Sequence, residues 1–250
     1  MLANNNEAII NKLAKNSVKT NKKQYAILFF TIILSAFMLF CVFTIGMTYL
    51  NSSRLQNTRL NGAEYDIVTM NGFTSEQLNT LQQNENIRSV GIESYAGFIQ
   101  STEYDKTVEI GLLWCDEVFW DNLMSPARTK LDGHYPQNKN ELMVTKDILK
   151  TCGNENLSVG DSLILTYENN TGVYTDEFVI SGIWDGYGDT SAGFVSKAFY
   201  DETGYDLKNN GILCIKLNCN YVFPTTIQSI EKSLDFSDRQ IFAPTGYIEN

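Results

Sequence analysis

The chain has 250 residues, 43% of them hydrophobic and 19% charged, with a formal net charge of −10; this apolar share is ordinary for a packed core and excludes a disordered chain. The charge is unevenly divided: residues 1–50 carry five lysines against Glu7 alone, and the remaining 14 basic and 28 acidic residues leave the rest at −14. An acidic body without clustered lysine or arginine excludes nucleic acid as a partner, because a phosphate-binding surface must be basic.

The opening "NEAIINKLAKNSVKTNKKQ" sets Ile9, Ile10, Leu13, Ala14 and Val18 near i, i+3, i+4 spacing, with lysines on the other side. This spacing predicts a basic amphipathic helix within residues 1–23, suited to the cytoplasmic interface and to anionic membrane lipid. Next comes "YAILFFTIILSAFMLFCVFTIGMTYL", Tyr25 to Leu50, 26 residues without a charge. As a helix it would reach about 39 Å against a hydrocarbon core of about 30 Å, so residues 24–50 are read as one transmembrane helix. The lysines precede it and the acids follow. The positive-inside rule therefore puts the N-terminus in the cytoplasm and the main domain outside the cell membrane.

The run is too long for a signal-peptide core and closes on "TIGMTYLNSS" without a small-x-small site. Phe40 before Cys41 also excludes a lipoprotein box. No acid, base or histidine in the span marks an ion path. Thr31 and Ser35, four apart, offer one narrow face to another helix.

Residues 51–63 stay polar and read as a stalk that continues the helix. From 64 to 250 short strands and helices alternate. "EYDIVTM" (64–70), "SVGIESYAGFIQ" (89–100), "KTVEIGLLWC" (106–115), the stretch 142–145 and "GILCIKLN" (211–218) have strand patterns. "TSEQLNTLQQN" (74–84), capped by Thr74, and "PTTIQSIEKSLD" (224–235), opened by proline, read as helices. "DEVFWDNL" (116–123) is a short helix that anchors Phe119 and Trp120 in the core. A further short helix follows the 142–145 strand and ends at Gly153. "NNTG" (169–172) predicts a hairpin turn, and "GFVSKAFYDETG" (193–204) a strand then a helix. No repeat or low-complexity linker divides this run. The fold class is therefore α+β: one N-terminal transmembrane helix, then a mixed α+β extracytoplasmic domain.

Sites are scarce. Cys41, Cys115, Cys152, Cys214 and Cys219 form no CxxC pair and no disulfide framework, and buried free thiols are expected, with one disulfide left open. The only histidine, His134, lies in "LDGHYPQNKNEL" between Asp132 and Glu141, materials for an acid/base or zinc site. Gly133 and Pro136 argue instead for a surface turn that leads through Asn140 and Glu141 into the next strand. No G-x-S-x-G, H-E-x-x-H or Cys/His arrangement occurs, so an enzyme is not expected, and no catalytic, cofactor-binding or metal residue is assigned. "WDGYGDTSAG" (184–193) is the loop with most ligand potential, a connecting turn being its plainer role. The sequons at Asn51, Asn156 and Asn169 carry weight only in a eukaryotic secretory setting.

Taken in order, these pieces resemble the FtsX/MacB-like permeases of ABC transporters. The resemblance runs through "NKLAKNSVKTNKKQYAILFFTIILS", "LDGHYPQNKNELMVTKDILKTCG", "LSVGDSLILTY" and "DEFVISGIW", with Gly133, Pro136, Asn140, Glu141, Gly160, Asp161, Gly182 and Ile183 on the family pattern. His134 departs from it, standing where arginine is common. A larger departure is the end at "APTGYIEN", where the family continues into further membrane helices; a fragment of a longer permease is the expectation. The resemblance implies a MacB-like extracytoplasmic core domain on a noncatalytic membrane subunit without a cofactor. Its implied partners are a separate cytoplasmic ABC ATPase and a second permease copy, forming a dimer. ATP binding on the partner would move the stalk and domain for export or extraction of a lipid, lipoprotein, peptide or toxic compound. The chain itself has no G-x-x-x-x-G-K-[ST] phosphate loop. The alternative is a single-pass anchored sensor or binding domain, which the same topology would serve.

Overall fold

A computed structural model of the chain describes residues 7–100, 110–187, 192–218 and 223–244. It divides into two units, Met1–Arg54 and Leu55–Asn250.

In the first unit, α1 (Glu7–Thr20) is amphipathic as its spacing predicts, with Ile9, Ile10, Leu13 and Val18 exposed. At the bend the backbone ladder persists: the Asn21 N–H donates to Ser17 O and the Tyr25 N–H to Asn21 O. The Ser17 and Tyr25 hydroxyls also bond, at 3.1 Å. Helix α2 then runs unbroken from Lys22 to Leu60, so the residues read as a stalk do extend the helix. It is long and apolar enough to cross a membrane, and none of its apolar window is buried. Thr31 and Thr44 donate to the carbonyls of Ile27 and Phe40 four residues back. Both hydroxyls are thus satisfied without water, as a hydrocarbon surrounding requires.

The second unit is built on ten strands. They are β1 (Ile67–Met70), β2 (Ile87–Ile99), β3 (Ile110–Cys115), β4 (Arg128–Gly133), β5 (Glu141–Thr145), β6 (Ser162–Asn169), β7 (Gly172–Gly186), β8 (Ala192–Val195), β9 (Ile212–Leu217) and β10 (Ile241–Pro244). Their order across the sheet is β10-β1-β9-β2-β3-β8-β5-β7-β4, with β6 pairing both β2 and β7. Pairing is antiparallel except for β3 with β8 and β5 with β7. The helices are α3 (Ser75–Gln82), α4 (Lys146–Thr151), α5 (Lys197–Tyr200), α6 (Leu207–Asn210) and α7 (Pro224–Ser233).

Strand alternation sorts the apolar residues into three cores. On β5, Leu142 and Val144 join Ile148, Leu149, Phe178 and Phe199 under α4 and α5, whereas Met143 turns to Trp120, Trp184 and Phe194. On β9, Leu213 and Ile215 pack with Leu81, Ile227 and Ile230 from α3 and α7, and Cys214 faces the Trp120 side. The helix starts obey their sequence signals. Thr74 and Gln77 form a capping box, and Thr145, Ser196 and Asp206 cap the N-termini of α4, α5 and α6. Gly153 (φ 71°) stops α4, and Asn169 Oδ1 accepts the Thr171 and Gly172 N–H groups in the β6–β7 turn.

Three elements differ from the sequence reading. The segment from Leu131, read as a turn, begins inside a strand, since Leu131–Gly133 close β4 against β7. The helix expected over 116–123 is a π-helical turn, Val118–Leu123, though Phe119 and Trp120 are buried as expected. The strand expected from Glu64 begins only at Ile67, because Glu64 and Asp66 are engaged elsewhere, as described below. Residues 106–109 of the next predicted strand, Cys219 and residues 245–250 lie outside the described residues.

Candidate functional site

The "LDGHYPQNKNEL" segment bonds none of Asp132, His134 and Glu141 to one another, although His134 is near enough to Glu141 to help lower its pKa. Gly133 takes φ 87°, and a Cβ there would lie 2.2 Å from the carbonyl oxygen of Ser181, so glycine alone fits. The His134 N–H then donates to Ser181 O at 2.9 Å, while its exposed ring engages only the next carbonyl, Tyr135 O, through Nδ1. Glu141 turns away to accept the Gln137 N–H (2.7 Å), the Asn138 N–H (3.1 Å) and Asn138 Nδ2 (2.7 Å). Slight burial works to raise the Glu141 pKa, but these donors outweigh it and hold the group below the usual carboxylate range. The carboxylate serves as the clasp of a turn. Among the described residues no three His, Cys, Asp or Glu side chains are grouped to hold a metal.

The residue the sequence reading passed over is Tyr135. Its half-buried ring packs between Trp120 and Phe194, and its hydroxyl accepts the Cys115 N–H (3.0 Å) and faces the carbonyls of Cys115 and Val195. It ties the turn to β3 and β8. In "WDGYGDTSAG", residues 188–191 lie outside the described residues. Trp184 is core, with Nε1 donating to Ala192 O at 3.3 Å. The Tyr187 ring lies under the guanidinium of Arg59, 3.8 Å from Cζ.

Arg59 belongs to the most elaborate polar arrangement of the second unit, where α2 ends. Thr58 is buried, Gly62 (φ 74°) stops the helix and Ala63 is 1% exposed. The Glu64 N–H donates to Leu123 O, and the Asp66 N–H to Ile215 O. From β9, the buried Lys216 reaches both carboxylates, its Nζ 3.2 Å from Glu64 and 3.2 Å from Asp66. Asp66 also accepts the Leu217 N–H at 2.9 Å. A lysine so deeply placed needs both partners, because an unpaired buried charge is costly. The end of α2 is thereby fastened to the sheet by a cap, a stacked cation and an ion triad. One signal was available in the sequence, a lone lysine inside the apolar "ILCIKL".

Beside this joint lies a second unusual group. Asp116 accepts the Ile92 and Phe119 N–H groups and so starts the π-helical turn, which lies over Gly91. A Cβ on Gly91 would come within 2.9 Å of Phe119 Cα. Two residues along β2, Glu93 stands in register between Cys115 of β3 and Ile212 of β9. Burial pushes its carboxyl up to about 7, and burial likewise pushes the Cys115 and Cys214 thiols upward. Both cysteines are free and buried, so at neutral pH they stay protonated, inert core residues. Among the described residues the site offers a braced joint and no assembled nucleophile, acid/base pair or metal cage.

No protein-family model matches the chain, and no curated protein sequence does. Among solved structures the chain is similar to domains of a MacB protein, of a permease and of an ABC-type transporter. One is the periplasmic region of MacB from Actinobacillus actinomycetemcomitans, 12% identical, covering 74% of this chain and 92% of that one with a TM-score of 0.49. A domain of a protein described as a permease from Porphyromonas gingivalis is 11% identical, covers 74% and 92%, and scores 0.44. The extracellular domain of YknZ, an ABC-type transporter of Gram-positive bacteria, is 13% identical, covers 66% and 87%, and scores 0.42.

Proposed function

We propose that the chain is the N-terminal part of an FtsX/MacB-type ABC transporter permease, with residues 64–250 as an extracytoplasmic domain that responds to a separate cytoplasmic ATPase. The observation that carries this reading is the register of β1 with β10, which sets Ile67 opposite Pro244. The backbone thus enters the domain, with six residues between α2 and β1, beside Pro244 of β10. A domain inserted between two membrane helices needs that arrangement, whereas a terminal domain has no such requirement. The family-like turns at Gly133 and Gly160 and the order of basic helix, apolar helix and mixed domain support the same reading.

In this function α1 lies on anionic lipid at the cytoplasmic face, and α2 carries movement outward. The joint of Arg59, Gly62, Glu64, Asp66 and Lys216 passes that movement into the sheet. A second permease copy completes the assembly, and the reaction chemistry belongs to the ATPase. The test is a pull-down of the full-length protein from crosslinked membranes. A Walker-type ATPase should co-purify; its absence would sink the permease reading in favour of an anchored binding domain.

A further inference from the structure

Among the described residues the strand order ends at β10 on one side and β4 on the other, and the two are not alike. β10 ends on Pro244, which has no N–H to offer an added strand. β4 contains no proline, and five of its six residues are exposed. Its irregularity, a register shift between Arg128 and Lys130, falls before the tripeptide Lys130-Leu131-Asp132 and leaves that stretch in regular pairing with Asp185, Trp184 and Ile183. Leu131 is 45% exposed. Neither Lys130 nor Asp132 makes an ion pair among the described residues. An isolated lysine would be an ordinary guard on a free edge. A lysine and an aspartate flanking an exposed leucine make something different, a sequence that complements itself when run antiparallel.

We propose that β4 is an interface for a second copy of this chain, two β4 strands pairing antiparallel about a twofold axis at Leu131. In that register Leu131 meets Leu131 of the other copy on one face. On the other face each Lys130 meets the other copy's Asp132, giving two cross-strand ion pairs. The neighbouring registers are selected against: a shift that centres the axis on Lys130 opposes two lysines, and one centred on Asp132 opposes two aspartates. The contact is small for a free protein, but two copies held in one membrane meet at high effective concentration. The pairing specifies how the two copies of the proposed dimer touch, and its test does not depend on the ATPase.

The test is oxidative crosslinking of the whole chain in membranes, with Leu131→Cys as the reporter and Ile164→Cys, on the exposed outer face of β6, as the control. Opposed cross-strand positions lie close enough for a disulfide. Leu131→Cys should give a covalent product of twice the chain mass, and Ile164→Cys should not. In the reporter background, Lys130→Asp alone or Asp132→Lys alone opposes like charges and should cut the product at least about five-fold. Co-expressing those two variants restores opposite charges in the mixed pair and should bring the product back. Equal crosslinking at 131 and 164, single variants that leave the yield unchanged, or a mixture that fails to recover would each overturn the pairing. So would a product of another mass, which would assign the edge to a foreign strand. Loss of the product with the ATPase still co-purifying overturns this interface alone; loss of the ATPase with the product intact overturns the permease reading alone.

Discussion

Gly133 decides more of the local structure than the histidine beside it. Gly133→Ala forces a Cβ against Ser181 O at a positive φ, and we expect a loss of at least about 2 kcal/mol in chemical unfolding. His134→Ala, whose exposed ring bonds only the neighbouring carbonyl, should change stability by no more than about 0.5 kcal/mol. That contrast was legible in "LDGHYPQNKNEL", where glycine and proline announced a turn. Glu93 was not legible: "VGIESYAGF" alternates like any half-buried strand, and the carboxyl gains its surroundings only when β3 and β9, far away in sequence, pair on either side of it. Its pKa of about 7 lies above the ordinary 4.5, so the folded state holds the proton more tightly than the unfolded one. The resulting stability is full below pH 4.5 and is lost as pH rises through about 7, with a slope of at most about 1.4 kcal/mol per pH unit. Thermal melts across that window should show the decline in the native protein and a flatter profile in Glu93→Gln.

Among the elements, those whose signals are local were read well. The cap at Thr74, the stop at Gly153 and the turn after Asn169 each depend on a few adjacent residues. The side chains of the joint at the end of α2 depend on partners 128 to 152 residues away, Tyr187 for Arg59 and Lys216 for Asp66 and Glu64, and no window of sequence contains it. Lys216→Met should destabilise the domain by about 1–3 kcal/mol, because it leaves two half-buried carboxylates without their cation. Adding Glu64→Gln and Asp66→Asn should recover part of that loss in the same denaturant titration. For Arg59 on Tyr187, a double-mutant cycle with alanine at each position should give a coupling of about 0.5–1 kcal/mol. A coupling near zero would remove the stacked cation from the joint.

At the scale of the whole molecule, the α+β class and the long apolar helix followed from composition and periodicity, while the strand order did not. Nothing in the short runs "IGLLWC" and "AGFV" distinguishes parallel from antiparallel neighbours, yet β3 and β8 are parallel and about 80 residues apart. Nor does "EYDIVTM" reveal that its strand lies between β9 and β10, the last two strands described. That placement has a consequence for how the protein is made. A ribosome delivers β1 first, immediately behind the anchor, and both strands that flank it about 150 residues later. Until then β1 has two bare edges, which in the proposed topology lie on the far side of a membrane, out of reach of the machinery that synthesised it. The domain must therefore close after translocation, with its first strand the last to be enclosed. The interval between those events is when a holding chaperone or a misplaced strand would have its opportunity.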